Sequence, residues 1–321
     1  MKGNRRVIAA ATVCATLLLA GCGGSSGGSS NAASTTSAKA AGSIKIGFIT
    51  KFPVDFYDTM VDSVKTWNKD HPDVKVIFAQ GKSGTDDEGE IAAIQSMVSQ
   101  QVKAIAITPT SPNVQAELQK AVDKGIKVVL IDNDIPDWSG KSSVVATNNL
   151  AGGKLAGTWL KEKLPAGAKI AVLQGVLGNP SLDDRVTGML DTLGNSATVV
   201  AKVATDCDQT KGLNAAQDIL SAHPDIAGIY GACGPPILGA LQAIKAKGKE
   251  GKLVVVGFDA SPDEVTAITA GTESGSVAQF PAKMGSVGVQ TALDAAQGKT
   301  VAANVDTGTE MVTKDNAAQF G

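Results

Sequence analysis

Carboxylates, amides and two adjacent aromatics recur in this sequence immediately after short apolar runs. They stand at Thr50-Lys51-Phe52-Pro53-Val54-Asp55-Phe56-Tyr57, Asp132-Asn133-Asp134, Asp183-Asp184-Arg185, Asp206-Cys207-Asp208, Cys233, Asp259 and Gln279. Hydroxyl groups both donate and accept hydrogen bonds, and the C–H faces of a sugar ring pack on aromatic rings, so this mixture suits a polyhydroxylated small molecule. Any one of these aspartates could equally be a turn or N-cap residue; the convergence of several carries the reading. No catalytic set survives the same inspection. His71 and His223 each stand in a His-Pro-Asp stretch, where a helix-terminating turn is the ordinary explanation. No His/Cys cluster has zinc spacing, and Gly81-Lys82-Ser83 lacks the upstream glycine of a phosphate-cradling loop. The expectation is a site that binds without reacting, with no enzyme activity, no cofactor and no metal.

Such residues need a scaffold that brings strand ends together. Short β-branched runs alternate with amphipathic stretches: strand Ile44–Ile49, helix Phe56–Lys69, strand Val74–Ala79, helix Glu88–Gln101, strand Ala104–Thr108, helix Asn113–Lys124 and strand Val128–Ile131. A second series runs through helix Asn149–Leu164, strand Lys169–Leu173, helix Asp183–Leu193, strand Thr198–Ala204, helix Asn214–Ser221, strand Ile226–Tyr230, helix Ile237–Ala246, strand Leu253–Phe258 and helix Asp263–Ala270. Strand-helix alternation predicts right-handed βαβ units and parallel sheets covered on both faces. Two consecutive series predict an α/β protein of two doubly wound lobes. Ligands of such sheets bind beyond the carboxyl ends of the strands, where the polar residues above fall.

The N-terminus reads differently. Lys2, Arg5 and Arg6 precede an apolar run from Val7 to Ala20 that ends in Leu19-Ala20-Gly21-Cys22. The run is shorter than the roughly 20 residues a membrane-spanning helix needs, so residues 1–21 are read as an export signal. Cys22 then stands where a lipid would be attached. Residues 22–42 are almost entirely Gly, Ser, Ala, Thr and Asn, a composition that cannot bury apolar area. As a flexible tether this stretch has a root-mean-square reach on the order of 25 Å. Loss of Lys2, Arg5 and Arg6 takes the formal net charge from −2 to −5, which argues against nucleic acid or an anionic membrane surface as partner. The remaining chain is too long for one compact core and suits two domains.

Several stretches, in this order, resemble the ribose-binding type of periplasmic solute-binding protein, in the type I periplasmic binding protein superfamily. They are Val145-Ala146-Thr147-Asn148-Asn149 with Gly152-Gly153-Lys154, Leu173-Gln174-Gly175, Lys211-Gly212-Leu213-Asn214 with Ala222-His223-Pro224-Asp225, Leu238-Gly239-Ala240-Leu241, Val254-Val255-Val256-Gly257-Phe258-Asp259, and Ala278-Gln279-Phe280-Pro281. The resemblance implies a monomeric, lipid-anchored substrate-binding protein of an ABC importer, outside the cytoplasmic membrane, that closes on a monosaccharide or polyol and presents it to a membrane permease. It also implies an N-terminal lobe of residues 43–147 plus 280–307 and a C-terminal lobe of 148–279 plus 308–321. Crossings would lie near Thr147-Asn148, Gln279-Phe280 and Asp306-Thr307-Gly308. Carried over by position, the family's aromatic platform falls on Phe56 and Tyr57, its hydroxyl acceptors on Asp132 and Asp259, its second-lobe arginine on Arg185 and its hinge-side amide on Gln279. Asn133 stands where the family has an arginine, Cys207 where it has an aromatic, and Cys233 where it has an asparagine. Lys51 with Asp132-Asn133-Asp134 is also similar to the receptors for furanosyl quorum signals (autoinducers) and for the deoxysugar rhamnose, which keeps those ligands as an alternative.

With Cys14 inside the signal and Cys22 lipidated, Cys207 and Cys233 are the remaining thiols, in an oxidising compartment. A disulfide between them is one reading and two free thiols the other. In a 2-1-3 strand order their strand ends flank a third strand, roughly 9–10 Å apart, beyond the roughly 7 Å Cα limit for a bridge unless the loops lean together.

Overall fold

The computed structural model describes residues 43–320. The export signal, Cys22 and the tether lie outside the described residues.

The first lobe begins β1 (Ile44–Thr50), α1 (Asp55–Lys69), β2 (Val74–Gln80), α2 (Asp87–Ser99), β3 (Ala104–Ile107), α3 (Gln115–Asp123), β4 (Lys127–Ile131) and β5 (Ser143–Ala146). The chain then builds the second lobe with α4 (Asn149–Lys163), β6 (Ala168–Gln174), α5 (Pro180–Leu193), β7 (Ala197–Ala204), α6 (Gln209–Ala222), β8 (Gly228–Gly231), α7 (Gly234–Ala246), β9 (Val254–Asp259), α8 (Pro262–Ala270) and β10 (Gly275–Ala278). Helix α9 (Pro281–Ala296) returns to pack on α1 and β4. β11 (Asn304–Asp306) joins the first sheet and β12 (Glu310–Val312) the second. The sheets have orders β11-β5-β4-β3-β1-β2 and β12-β10-β9-β8-β6-β7, parallel throughout except for β12, which runs antiparallel to β10.

Each sheet is buried on both faces, which is why its central strands read as unbroken apolar runs. In the first sheet, Ile46, Phe48, Ala104, Ala106, Val129 and Ile131 face α1 and α9, while Ile105, Ile107, Val128 and Leu130 face α2 and α3. In the second, Ile170, Val172, Tyr230, Val256 and Phe258 face α4 and α5, while Ala171, Leu173, Ile229 and Val255 face α6 and α7.

Helix starts follow their capping residues. Side chains of Asp86, Asn148, Asn179 and Asp208 accept backbone N–H groups at the N-termini of α2, α4, α5 and α6, and Ser261 with Glu264 forms a capping box on α8. Helix α6 therefore starts at Gln209, several residues before the expected Asn214, and α5 at Pro180, before Asp183. The pair α4–α5 approaches unusually closely. A Cβ on Gly153 would lie 2.3 Å from the Arg185 carbonyl oxygen, and one on Gly188 would lie 2.3 Å from that of Leu150. These glycines hold the base of Arg185 directly against α4, beside Asn149.

Candidate functional site

In each sheet the strand order reverses beside the first strand, so the carboxyl ends of the strands open on a crevice, and the two crevices face each other. Five non-glycine residues with φ in the left-handed region follow strands at this level: Asp132 (65°) after β4, Asp206 (52°) and Cys207 (55°) after β7, and Asp259 (103°) and Ala260 (48°) at the end of β9. Such conformations are costly and persist where the surroundings over-determine them, as at binding sites.

From the first lobe, Asp132 Oδ2 accepts the Tyr57 hydroxyl at 3.2 Å and the Asn133 side-chain amide at 2.6 Å. Tyr57 is clustered edge-on with Phe52 and Phe56, ring centroids 5.4 and 5.3 Å away. Burial and the neighbouring Asp132 carboxylate raise the Tyr57 phenol well above its usual range, so it is a neutral donor. Lys51, just beyond β1, is buried, and this lowers its ammonium's pKa against the attraction of Asp132 and Glu90. Glu90, on the first turn of α2, takes the backbone N–H and hydroxyl of Thr110. Burial pushes its carboxyl up to about 7, opposed by those bonds.

From the second lobe, Arg185 is fixed at three points. Its Nε donates to Asn149 Oδ1 at 2.8 Å, and its Nη1 donates to the Ala232 carbonyl at 2.9 Å and to Asp259 Oδ1 at 3.2 Å. The guanidinium also lies 3.9 Å above the Phe258 ring. Asp259 Oδ1 accepts the Gln279 amide at 2.6 Å, and its Oδ2 accepts the Gly234 N–H at 3.2 Å. Burial raises the Asp259 carboxyl, and Arg185 opposes the rise.

Once these internal bonds are assigned, a specific set of valences is left over among the described residues. Arg185 Nη2 and Lys51 Nζ remain as donors, and Asp132 Oδ1 and the buried Gln279 Oε1 as acceptors, none engaged by a protein partner. Buried polar groups are normally satisfied, so these groups are candidates for partners that both donate and accept, as hydroxyls do.

The structure thus gathers Lys51, Tyr57, Asp132, Asn133, Arg185, Asp259 and Gln279. Phe56 is partly buried and packs against Tyr57 and the edge of the first-lobe core. Asp134 is engaged elsewhere, paired with Lys141 at 2.5 Å and half-exposed on a groove between the lobes. Cys207 and Cys233 are joined as a disulfide with Cα atoms 5.8 Å apart. Their strands β7 and β8 do flank β6, but the two consecutive left-handed residues Asp206 and Cys207 turn the loop back across the end of β6, closing the distance expected from strand spacing alone. The bridge anchors the residue preceding Gly234, whose N–H holds Asp259. Asn149, which orients Arg185, and Glu90 were not among the expected site residues. Asn149 could have been found from its place in the family-like stretch Val145-Ala146-Thr147-Asn148-Asn149; Glu90 carries no local signal, because only folding brings it to Thr110.

A family profile described as a periplasmic binding protein domain matches residues 46–300. The ribose import binding protein of Bacillus subtilis is 33% identical over 230 residues, covering 71% of this chain and 73% of that protein. An ABC transporter solute binding protein from Bacillus halodurans, solved with bound myo-inositol, superposes with a TM-score of 0.82 at 23% identity, covering 87% of this chain and 97% of that one. One from Burkholderia graminis, in complex with D-arabinose, gives 0.80 at 30% identity, covering 85% and 96%.

Proposed function

Because the chain belongs to the periplasmic binding protein domain family, we propose that it is the substrate-binding component of an ABC-type sugar importer. Its ligand would be a monosaccharide or polyol, held between the lobes and presented, in the closed form, to a membrane permease. The observation that carries this reading is the set of unused hydrogen-bonding groups on Arg185, Lys51, Asp132 and Gln279 beside an aromatic cluster. Relatives named for ribose, and structural relatives solved with D-arabinose, support a small polyhydroxylated ligand. In this reading the protein carries its ligand without transforming it. It acts as a monomer outside the cytoplasmic membrane, anchored by lipid on Cys22, and the lobes divide as 43–147 plus 280–307 and 148–279 plus 308–321.

A second reading, a receptor for a furanosyl signal or deoxysugar, is favoured by Lys51, whose buried ammonium has no hydrogen-bond partner among the described residues. Titration calorimetry of the purified protein against pentoses, hexoses, deoxysugars, polyols and furanosyl signals decides between the two. Saturable binding of an ordinary aldose or polyol supports the importer reading. Binding confined to the furanosyl signal or deoxysugars supports the receptor, and no binding by any of them overturns both.

A further inference from the structure

Asn133 stands immediately after Asp132 in the first lobe, and Asn179 caps α5 in the second. Asn179 Nδ2 donates across the cleft to Asn133 Oδ1 at 3.0 Å, and Asn133 Nδ2 donates to Asp132 Oδ2 at 2.6 Å. Two residues further along α5, the Ser181 hydroxyl reaches the backbone carbonyl of Asp132 at 3.4 Å. Asn133 is 6% exposed, so both ends of its amide are spent inside the protein. Its carbonyl accepts from the opposite lobe while its NH2 group holds the carboxylate of its own lobe.

We propose that Asn133 and Asn179 form an interlobe latch: they are positioning residues that fix Asp132 and set the balance between closed and open lobes, instead of reading the ligand. The proposal rests on the hinge-closure reading above. A carboxamide suits this place because it accepts on one side and donates on the other at the same time. A guanidinium has no acceptor and could not receive the Asn179 amide. The side chain that departs from the arginine of the resembling family is thus the one that here links the lobes.

A net hydrogen bond of ordinary strength moves an equilibrium roughly two- to twelvefold. Because apparent affinity scales with the fraction of protein in the competent form, the same factor should pass into every ligand's dissociation constant without changing the order of preference. Asn179→Ser isolates the effect, since serine caps a helix as well as asparagine but is too short to cross the cleft.

The test is paramagnetic relaxation enhancement between the lobes of the otherwise intact protein, with no sugar added, from a spin label on the second lobe; the method registers minor closed populations. Asn179→Ser should reduce the closed-to-open ratio about two- to twelvefold at unchanged melting temperature, and Asn133→Ala should reduce it at least as much. The double variant should show no more than the larger single effect. In parallel, D-ribose titrations should weaken by the same factor, through faster dissociation. An unchanged interlobe distribution in Asn179→Ser overturns the latch. Failure of D-ribose to bind while the distribution still shifts leaves the latch standing and counts only against D-ribose as the ligand.

Discussion

Asp259 shows how a single side chain joins stability to recognition. It is held by Arg185, Gln279 and the Gly234 N–H, and it holds Arg185 in return, so in the proposed site the guanidinium would meet a ligand already aimed. Asp259→Ala removes an acceptor and leaves a buried guanidinium short of its counter-charge. Ligand affinity should fall at least tenfold, about 1.4 kcal/mol by calorimetry. Asp134 offers the contrast within the same cleft region. Its carboxylate is spent on Lys141 near solvent, where ion pairs contribute little, so Asp134→Ala should change affinity less than about twofold. A tenfold loss there would place Asp134 on the ligand.

At the scale of elements, the wall of the second lobe depends on loops that the sheet alone does not bring together. The Cys207–Cys233 bridge ties the loop after β7 to the start of α7 across a sequence separation of 26. Closing a loop of that size should contribute about 3 kcal/mol through the unfolded chain. Urea unfolding with and without a thiol reductant should show that difference. Ligand affinity should weaken as well, because the residue after Cys233 donates to Asp259. Equal unfolding midpoints in both conditions, with the thiols shown to be reduced, would remove the bridge from the stability of this lobe.

The stability of the whole molecule should carry the signature of carboxyls buried behind the site. Glu264 and Glu273 both face the Cα of Gly257, and are 0% and 1% exposed. Glu264 takes Ser261 and Ser276 as partners, while Glu273 has no side-chain partner among the described residues and only the Gly257 backbone beside it. Burial, reinforced by Asp259, raises the Glu264 carboxyl to about 8, and burial with the neighbouring Glu264 raises Glu273 well above its usual value. Since these groups hold protons more tightly folded than unfolded, their contribution is fully present below the ordinary carboxyl range near 4.5. It is lost as pH rises through the folded values. The melting temperature should therefore fall between about pH 5 and pH 8, and Glu264→Gln should flatten the fall. Glu90 and Asp259 act in the same direction, so a residual slope remains. A profile that rises over this range, or is untouched by Glu264→Gln, would contradict the assignment.

The sequence by itself determined the class of fold and the placing of polar residues at the strand ends. A parallel strand buried on both faces must be apolar along its whole length, and its carboxyl end is where polarity resumes, so β1, β4 and β9 announce Lys51, Asp132 and Asp259. Very short strands carry too few residues to show that imprint. β5, β10, β11 and β12 span three or four residues each, and with α9 they escaped the reading, although they carry the crossings between lobes. Only the tertiary structure decided which valences of the site are already used. Whether Asn133 faces a ligand or Asn179, whether Cys207 reaches Cys233 past β6, and whether Asp134 turns to Lys141 each depend on distances between segments far apart in sequence. Residue type limits what a side chain can donate or accept, but the fold selects its partner.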